Sequence, residues 1–268
     1  MNSSSVKIEE RNGIRFQVFP HIGKLDFCVH GFSTRVGGIS PPPYDTLNLG
    51  FNTPDKDSNE IKNRQLFLHA LKLQNQTYQM RIKLVHGNKV LNTEEIKNDT
   101  IPEADGLVTD RVGELLATTF ADCVPIFLAD PQKKALGLVH AGWRGSFARI
   151  AQKAVEKMQQ DFHCRPGSIR AGIGSGIRQC CFETGREVAD AFSDKFPDWK
   201  DLIIEASKYS KWKIDLLHLN KRILLSSGLQ EKNIVVSDLC TSCRDDLFFS
   251  YRRDHQTGRM GAVLIRTG

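Results

Sequence analysis

The chain has 268 residues, enough to bury a large core in one domain or in two small ones. Hydrophobic residues make up 40% and charged residues 25%, which is ordinary for a soluble globular protein, and no apolar stretch is long enough to cross a bilayer. The formal net charge of +6 is spread without a long basic run, which argues against nucleic-acid and membrane partners and suits anionic small molecules.

Short runs that alternate or are rich in β-branched residues predict strands along most of the chain. These strands lie near Ile14–Phe19, Phe27–Phe32, Ile82–Val85, Val124–Leu128, Ala135–Val139, Ile234–Val236 and Ala262–Ile265. They are interspersed with helices but also bunch in pairs. This order predicts an α+β protein in which mixed sheets pack together with helices outside.

Three helices are predicted between these strands. One runs from about Ser58 to Leu71. A second has Ser146 as its cap and an apolar stripe at three- and four-residue steps from Phe147 to Met158. A third is capped by Asp215 and stops at Gly228.

We expect one domain over residues 1–268, with residues 1–12 forming a flexible N-terminal segment. The polar start, MNSSSVKIEERNG, lacks the apolar core of a signal peptide. The seven cysteines are an odd number, which favours reduced thiols over a disulfide framework. Both features predict a cytoplasmic protein whose cysteines serve as metal ligands or nucleophiles.

Three segments end a short apolar run at a residue that can bind a metal. They are IKLVHGNKV with His86, ATTFADCVPIFLAD with Cys123 and ALGLVHAGWRG with His140. Two imidazoles and a thiolate suit Zn²⁺, and three protein ligands leave a fourth position open for water. Each residue taken singly is more often structural, and the spacings are far longer than those of zinc fingers. Spacing alone therefore leaves zinc a hypothesis.

Several motifs resemble the YfiH/YlmD-type laccase-domain family, in the order in which that family has them. They are GFSTRVGGIS with LNLG, VHG, TFADCVP, HAGWRG, and FFSYRRD with TGR, and they extend over nearly the whole chain. The resemblance implies a single α+β unit and a zinc site at His86, Cys123 and His140. It also implies a purine nucleoside phosphorylase that cleaves adenosine, inosine and S-methyl-5'-thioadenosine with inorganic phosphate and also deaminates adenosine.

The chain departs from the family pattern at several positions. Leu84 and Val85 precede His86 where a glutamine is usual. In GIGSGIRQCCFETG, Ser175 stands at a proline position, Arg178 at a glycine and Phe182 at a tyrosine. These changes spare the three metal candidates, so we expect them to affect loop shape and substrate preference.

The older name of the family is multicopper polyphenol oxidase. The sequence disfavours that copper-dependent reaction. Reduction of oxygen to water needs several coppers and many imidazoles, whereas this chain has eight histidines and no His-x-His pair. The four methionines do not form a blue-copper pattern. Zn²⁺ is the expected cofactor, although a His₂Cys set can also bind copper.

Other residues are weaker candidates for the site. Asp122 precedes Cys123 and is a candidate catalytic residue that orients a ligand or transfers protons, with a structural role equally open. Arg35, Arg144 and Arg252 are candidates for phosphate binding, since glycine-flanked turns and arginines suit that anion. Phe249 and Tyr251 could stack on a purine, although FFSY is also typical of an ordinary strand.

The cysteines outside the proposed zinc site are interpreted as structural thiols. Cys240 and Cys243 have metal-ligand spacing but lack a second pair of the same form, and Cys180–Cys181 are adjacent, which is unfavourable for one tetrahedral ion.

Two rival functions stay open. A metal-free cysteine hydrolase would use Cys123 as nucleophile with His140 or His86 as its base. A non-catalytic partner or regulatory protein would retain the three residues as a structural zinc site. Metal content and a nucleoside panel with and without phosphate distinguish these functions.

Overall fold

The computed structural model describes residues 5–51, 53–97, 100–206 and 211–268. Its strands are β1 Lys7–Arg11, β2 Ile14–Val18, β3 Cys28–Ser33, β4 Val90–Asn92, β5 Gly106–Thr109, β6 Leu115–Phe120, β7 Val124–Asp130, β8 Ala135–Ala141, β9 Arg170–Ile173, β10 Glu183–Thr184, β11 Ile203–Ala206, β12 Lys211–Ile214, β13 Ile234–Val236 and β14 Met260–Arg266. Its α-helices are α1 Pro20–Gly23, α2 Asp57–Ala70, α3 Trp143–Phe147, α4 Ile150–Phe162, α5 Arg186–Lys195, α6 Leu216–Ser226 and α7 Tyr251–Asp254. Short 3₁₀ helices span Thr93–Glu95, Pro166–Ser168, Pro197–Leu202 and Glu231–Asn233. Across these described ranges, no helix combines the length and apolarity that a membrane span requires.

Two large sheets form the centre of the molecule. One has the order β1-β2-β3-β14-β6 and is antiparallel throughout. The other has the order β13-β9-β7-β8-β5-β4, with parallel pairs at its two ends and antiparallel pairs between them. A third, small antiparallel sheet has the order β10-β12-β11. These mixed sheets confirm the predicted α+β class.

Side-chain alternation along the strands builds the layers between sheets and helices. On β7, Ile126 and Leu128 join a buried cluster with α4 and α6, whereas Phe127 joins the core between the two large sheets. On β14, Leu264 faces that same inter-sheet core and Val263 packs in a cluster with α2. The order of layers is therefore helix, sheet, sheet, helix, with α4 and α6 outside one large sheet and α2 outside the other.

Most predicted strands are confirmed, but two regions differ. The segment 82–85 forms no strand, since Lys83 makes only an isolated bridge to Glu103. The sequence predicts a flexible segment at residues 1–12, but Lys7–Arg11 forms β1 and pairs antiparallel with β2. Residues 1–4 lie outside the described residues. The division into one domain stays a prediction.

The predicted helices are confirmed except at one boundary. Asp215 caps α6 by accepting the backbone N–H of His218 at 3.0 Å. The predicted helix after Ser146 is instead divided into α3 and α4, because Arg149 adopts a left-handed conformation with φ 59° and turns the chain between them. Ser146 lies inside α3, where its hydroxyl accepts a hydrogen bond from Asn220 at 2.8 Å, so its predicted role as the cap is wrong.

Candidate metal centre

Three separate segments bring His86, Cys123 and His140 together, and we call this set the His–Cys–His trio. His140 lies on β8, Cys123 in the turn between β6 and β7, and His86 in the loop before β4. Since β6 belongs to one large sheet and β7 to the other, that turn holds Cys123 where the sheets meet. One ligand atom from each residue lies within 4.8 Å of the others. The sequence predicts all three residues at the ends of strands, but among them only His140 lies in a strand.

Asp105, which sequence reasoning missed, orients two members of the trio. Its buried carboxylate accepts a hydrogen bond from His140 Nδ1 at 3.0 Å and the backbone N–H groups of His86 at 2.9 Å and Gly87 at 2.7 Å. Burial raises the pKa of Asp105, but these donors outweigh burial and hold the pKa below its ordinary value. A carboxylate that fixes Nδ1 of a histidine leaves Nε2 free to bind a metal. Its segment, IPEADGLVTD, carries no distinctive signal.

Backbone conformation and space around the trio are also specialised. His86 has φ 58° and Asp122 has φ 83°, both in the left-handed region that non-glycine residues rarely adopt. A Cβ at Gly142 would lie 2.9 Å from His86 Nδ1 and 3.1 Å from Cys123 Sγ. Glycine at position 142 is therefore required for the ligands to approach one another.

Cys123 and His140 form an electrostatic pair. Burial raises the pKa of the Cys123 thiol, but the His140 imidazolium and the hydrogen bonds from His140 and His86 outweigh it and lower the pKa to about 6. Burial lowers the pKa of His140, but the Cys123 thiolate and Asp105 raise it to about 9. At neutral pH the pair favours thiolate and imidazolium, and the thiolate is the form that binds metals or attacks electrophiles.

The trio lies in the wall of a cavity of about 390 Å³. Its lining within the described residues comprises Leu84, His86, Thr119, Ala121, Asp122, Cys123, His140, Trp143, Ile177, Phe182, Leu216, Tyr251, Arg252 and Arg259. Apolar and aromatic side chains with a few convergent polar groups are typical of small-molecule sites.

Asp122 lines the cavity with both carboxylate oxygens already engaged. One accepts the hydroxyl of Thr241 at 2.6 Å and the other accepts the backbone N–H of Arg252 at 2.7 Å. The carboxylate thus ties the turn beside Cys123 to Thr241 in the loop before α7 and to Arg252 in α7 itself. These contacts favour a positioning role over proton transfer.

The three arginines selected from the sequence lie in different places. Arg252 lines the cavity, and its guanidinium donates to the backbone oxygens of Cys181 and Glu183, both at 3.1 Å. Arg144 is exposed and its guanidinium lies over the ring of Trp143, with 4.4 Å between guanidinium carbon and ring centroid.

Arg35 is engaged away from the cavity. It donates to the backbone oxygen of Asp45 at 2.7 Å, pairs with the Asp45 carboxylate at 3.0 Å and covers the buried ring of Phe249. Neither Arg35 nor Arg144 belongs to the cavity lining formed by the described residues.

Arg259 is a lining residue that sequence reasoning did not select, although it stands in the TGR motif. Burial lowers the pKa of Arg259 below its ordinary value, while the nearby Asp122 opposes this. Within the described residues no carboxylate lies at ion-pair distance from it. A half-buried guanidinium beside a cavity is suited to an anionic ligand.

Of the departures from the family pattern, Leu84 and Phe182 line the cavity, whereas Val85, Ser175 and Arg178 do not belong to its lining. Ser175 instead lies in the interior, where its hydroxyl contacts the side chains of Gln17 and Ser237 at 2.8 Å each. Changes at Leu84 and Phe182 therefore alter the surface that a ligand meets.

Comparison with known proteins places this site in a family. The family model described as multi-copper polyphenol oxidoreductase laccase matches residues 29–267. Purine nucleoside phosphorylase YlmD of Bacillus subtilis is 34% identical over 244 residues, which cover 88% of this chain and 87% of the relative. Adenosine deaminase RL5, from an unknown prokaryotic organism, is 36% identical over 86% of this chain and 92% of its own length.

A solved structure agrees with these sequence matches. The crystal structure of YlmD from Geobacillus stearothermophilus is 33% identical, with a TM-score of 0.86, and covers 99% of this chain and 100% of that chain. The residues matched, the extent of the matches and the shared fold lead to one conclusion: the chain belongs to the laccase-domain family, together with YlmD and YfiH.

Proposed function

We propose that this protein is a zinc-dependent purine nucleoside phosphorylase that accepts adenosine, inosine and S-methyl-5'-thioadenosine and that also deaminates adenosine. The observation that carries the proposal is a His–Cys–His trio, pre-oriented by Asp105, in the wall of a mainly apolar cavity. The names of the relatives, purine nucleoside phosphorylase and adenosine deaminase, support both reactions.

The donor set of the trio suits Zn²⁺. A thiolate and two imidazoles are ligands that zinc favours, and three protein ligands are typical of catalytic rather than structural sites. Asp105 supplies the carboxylate partner that metal-bound histidines usually have. When bound, zinc lowers the pKa of a coordinated water and polarises an attached group.

The cavity lining supplies the remaining functions. We assign the purine base to the aromatic and apolar surface of Trp143, Phe182 and Tyr251, since flat rings stack on such surfaces. Phosphate is assigned to Arg252 and Arg259, the two arginines among the lining residues of the same cavity.

The two reactions differ in the atom attacked. In phosphorolysis a phosphate oxygen bonds to ribose C1' while the C1'–N9 bond breaks, its electron pair passes to the base, and a proton completes the free purine. In deamination a water oxygen bonds to purine C6 and the amino group leaves as ammonia. Burial of the substrate against Trp143 and Phe182 excludes competing water from C1', which phosphorolysis requires.

A specific observation also supports a second candidate, a metal-free cysteine hydrolase. Cys123 has a thiol pKa of about 6 beside His140, and His140 is held by Asp105, an order of residues that suits nucleophilic catalysis. Zinc binding by the same thiolate would quench its nucleophilicity. The two functions are therefore mutually exclusive at this residue.

Copper is a poorer match than zinc, despite the description of the family model. Within the described residues, the groups of three or more possible ligands are the trio, with two imidazoles, and a set of four cysteines. Neither has the many imidazoles that a multicopper cluster needs.

A nucleoside panel on protein of known metal content tests the proposal. Adenosine and inosine are incubated with and without phosphate, and the products are separated and identified by mass spectrometry. We expect ribose 1-phosphate and free base only with phosphate, and inosine from adenosine in either case. His140→Ala should lose these products, whereas the matched variant His163→Ala, at a residue outside the cavity, should retain them. No free base in phosphate, or a covalent adduct at Cys123, would support the hydrolase.

A further inference from the structure

Four cysteines outside the trio form a second group of possible metal ligands. Cys180, Cys181, Cys240 and Cys243, here called the four-cysteine cluster, have sulfur atoms that all lie within 4.8 Å of one another. Cys243 Sγ lies 3.6 Å from Cys180 Sγ and 3.3 Å from Cys181 Sγ. Tetrahedral zinc with Zn–S bonds of 2.3 Å places its sulfurs about 3.8 Å apart. The observed spacing is close to that geometry.

The turn at residues 178–182 explains how adjacent cysteines reach one point. Arg178 O accepts the backbone N–H groups of both Cys181 and Phe182, at 2.9 and 2.8 Å, so the chain follows a helical turn. Side chains on such a turn diverge by about 100° from one residue to the next, rather than pointing to opposite faces as on a strand. The interpretation of Cys180–Cys181 as unfavourable for one ion is therefore wrong.

The second pair is held in position by its own backbone contacts. Gly176 forms an isolated parallel bridge with Cys240, and the backbone N–H of Arg178 donates to Cys240 Sγ at 3.4 Å. An N–H donor stabilises a sulfur that carries negative charge. Cys240 is buried, Cys181 is half-buried, and Cys180 and Cys243 are exposed, so an ion can enter from solvent.

We propose that the four-cysteine cluster binds one structural Zn²⁺, as a site separate from the His–Cys–His trio. Four thiolates satisfy all four positions of tetrahedral zinc and leave none for substrate, which is the composition of a structural site. A cubic iron–sulfur cluster needs sulfurs much farther apart than these.

The site would brace one wall of the cavity. Thr241, between the two cysteines of the second pair, donates to Asp122, and Arg252 donates to the backbone oxygen of Cys181. Phe182, next to Cys181, lines the cavity. An ion that joins residues 180–181 to residues 240–243 therefore fixes the loops on which these contacts depend.

Metal analysis of the purified full-length chain, prepared with zinc and reductant and freed of loose metal by gel filtration, tests the site. We expect about two zinc ions per chain, one at each donor set. Cys243→Ser and Cys180→Ser should each lose one ion and lower the melting temperature by about 5 °C or more. Cys164→Ser, at a buried cysteine outside both sets, should retain both ions.

A second measurement separates this site from the proposed catalytic metal. In the His86→Ala variant, Co²⁺ should still bind once and give the visible absorption of a tetrahedral all-thiolate complex. Cys243→His, which keeps a ligand, should retain the ion even where Cys243→Ser does not fold. If the proposed function is wrong and the trio binds no zinc, the four-cysteine cluster should still bind one ion per chain. Unchanged zinc in Cys243→Ser and Cys180→Ser, or a Cys181–Cys243 disulfide in the reduced preparation, would overturn the four-cysteine site.

Discussion

The His–Cys–His trio and the four-cysteine cluster differ in both ligands and surroundings. The trio has three donors of two kinds, an oriented histidine and a cavity in front of it. The cluster has four donors of one kind, and two of its cysteines are exposed to solvent. Coordination that is incomplete beside a cavity permits chemistry, whereas complete coordination by thiolates stabilises loops. Zinc would thus serve catalysis at the trio and rigidity at the four-cysteine cluster.

The two regions are joined by a short chain of contacts. Thr241 belongs to the segment that carries the cluster, yet its hydroxyl binds Asp122 in the turn that carries Cys123. Arg252 contacts both Asp122 and the backbone of Cys181. Changes in the cluster should therefore reach the cavity only indirectly.

The largest expected difference is in catalysis. Loss of zinc from the trio in Cys123→Ser should lower kcat/KM by about 10³-fold or more, because the metal supplies several kcal/mol of transition-state stabilisation. Loss from the cluster in Cys243→Ser should lower it by less than about tenfold, because only positioning is affected. Steady-state kinetics beside metal analysis measures both, with Cys164→Ser as control. Equal losses in the two variants, with folding intact, would remove the distinction.

The carboxylate behind the trio should have a smaller and selective effect. Asp105→Asn should weaken metal binding at the trio by about 10- to 100-fold, as other changes to carboxylate partners of histidine ligands do. Competition with a chelator measures the affinity. Asp215→Asn is the matched control, since Asp215 also pairs with a histidine, His218, at 2.8 Å. Equal effects of both variants would show that the loss is not specific to the trio.

Thiol reactivity should distinguish the regions in metal-free protein. Hydrogen bonding to Cys181 raises the pKa of Cys243 to about 11, whereas the pKa of Cys123 is about 6 because His140 and His86 outweigh burial. At pH 7 Cys123 should therefore be alkylated at least about tenfold faster than Cys243. This ratio allows for the weaker nucleophilicity of a low-pKa thiolate.

The sign of the pH dependence follows from the thiolate fraction. Alkylation of Cys123 should decline as the pH falls through about 6, and that of Cys243 should rise with pH throughout the range 7 to 10. Peptide-resolved mass spectrometry follows each residue. Before chelation both should react slowly, since zinc protects its ligands. Fast alkylation of Cys123 in untreated active enzyme would instead support the cysteine hydrolase.

The smallest effect concerns the contact between the regions. Thr241→Val leaves one oxygen of buried Asp122 without its 2.6 Å partner and should cost about 1–3 kcal/mol of unfolding free energy. We expect kcat/KM to fall a few-fold, because Asp122 and Arg252 shift together. Thr34→Val removes a buried hydroxyl that donates to Arg15 O, so it should lower stability without a kinetic change. Chemical denaturation and steady-state kinetics measure the pair.

Local patterns in the sequence determined much of the fold. Short runs that alternate or are rich in β-branched residues predict β2, β3, β7, β8, β13 and β14, because such side chains suit extended backbone. Three- and four-residue spacing predicts the buried stripe of α4, because that period reports which face of a helix is buried. The motifs also identified the family and the three residues of the trio. The segment 82–85 failed as a strand because an apolar run does not supply a pairing partner.

Tertiary structure decided what no local pattern contains. Asp105 became the orienting partner of His140 only because β5 pairs with β8, and Arg259 reached the cavity because β14 lies beside β6. The four cysteines come from segments about sixty residues apart and meet through the bridge between Gly176 and Cys240. Coordination depends on distances between side chains, and those distances are set by strand pairing and turns rather than by spacing along the chain.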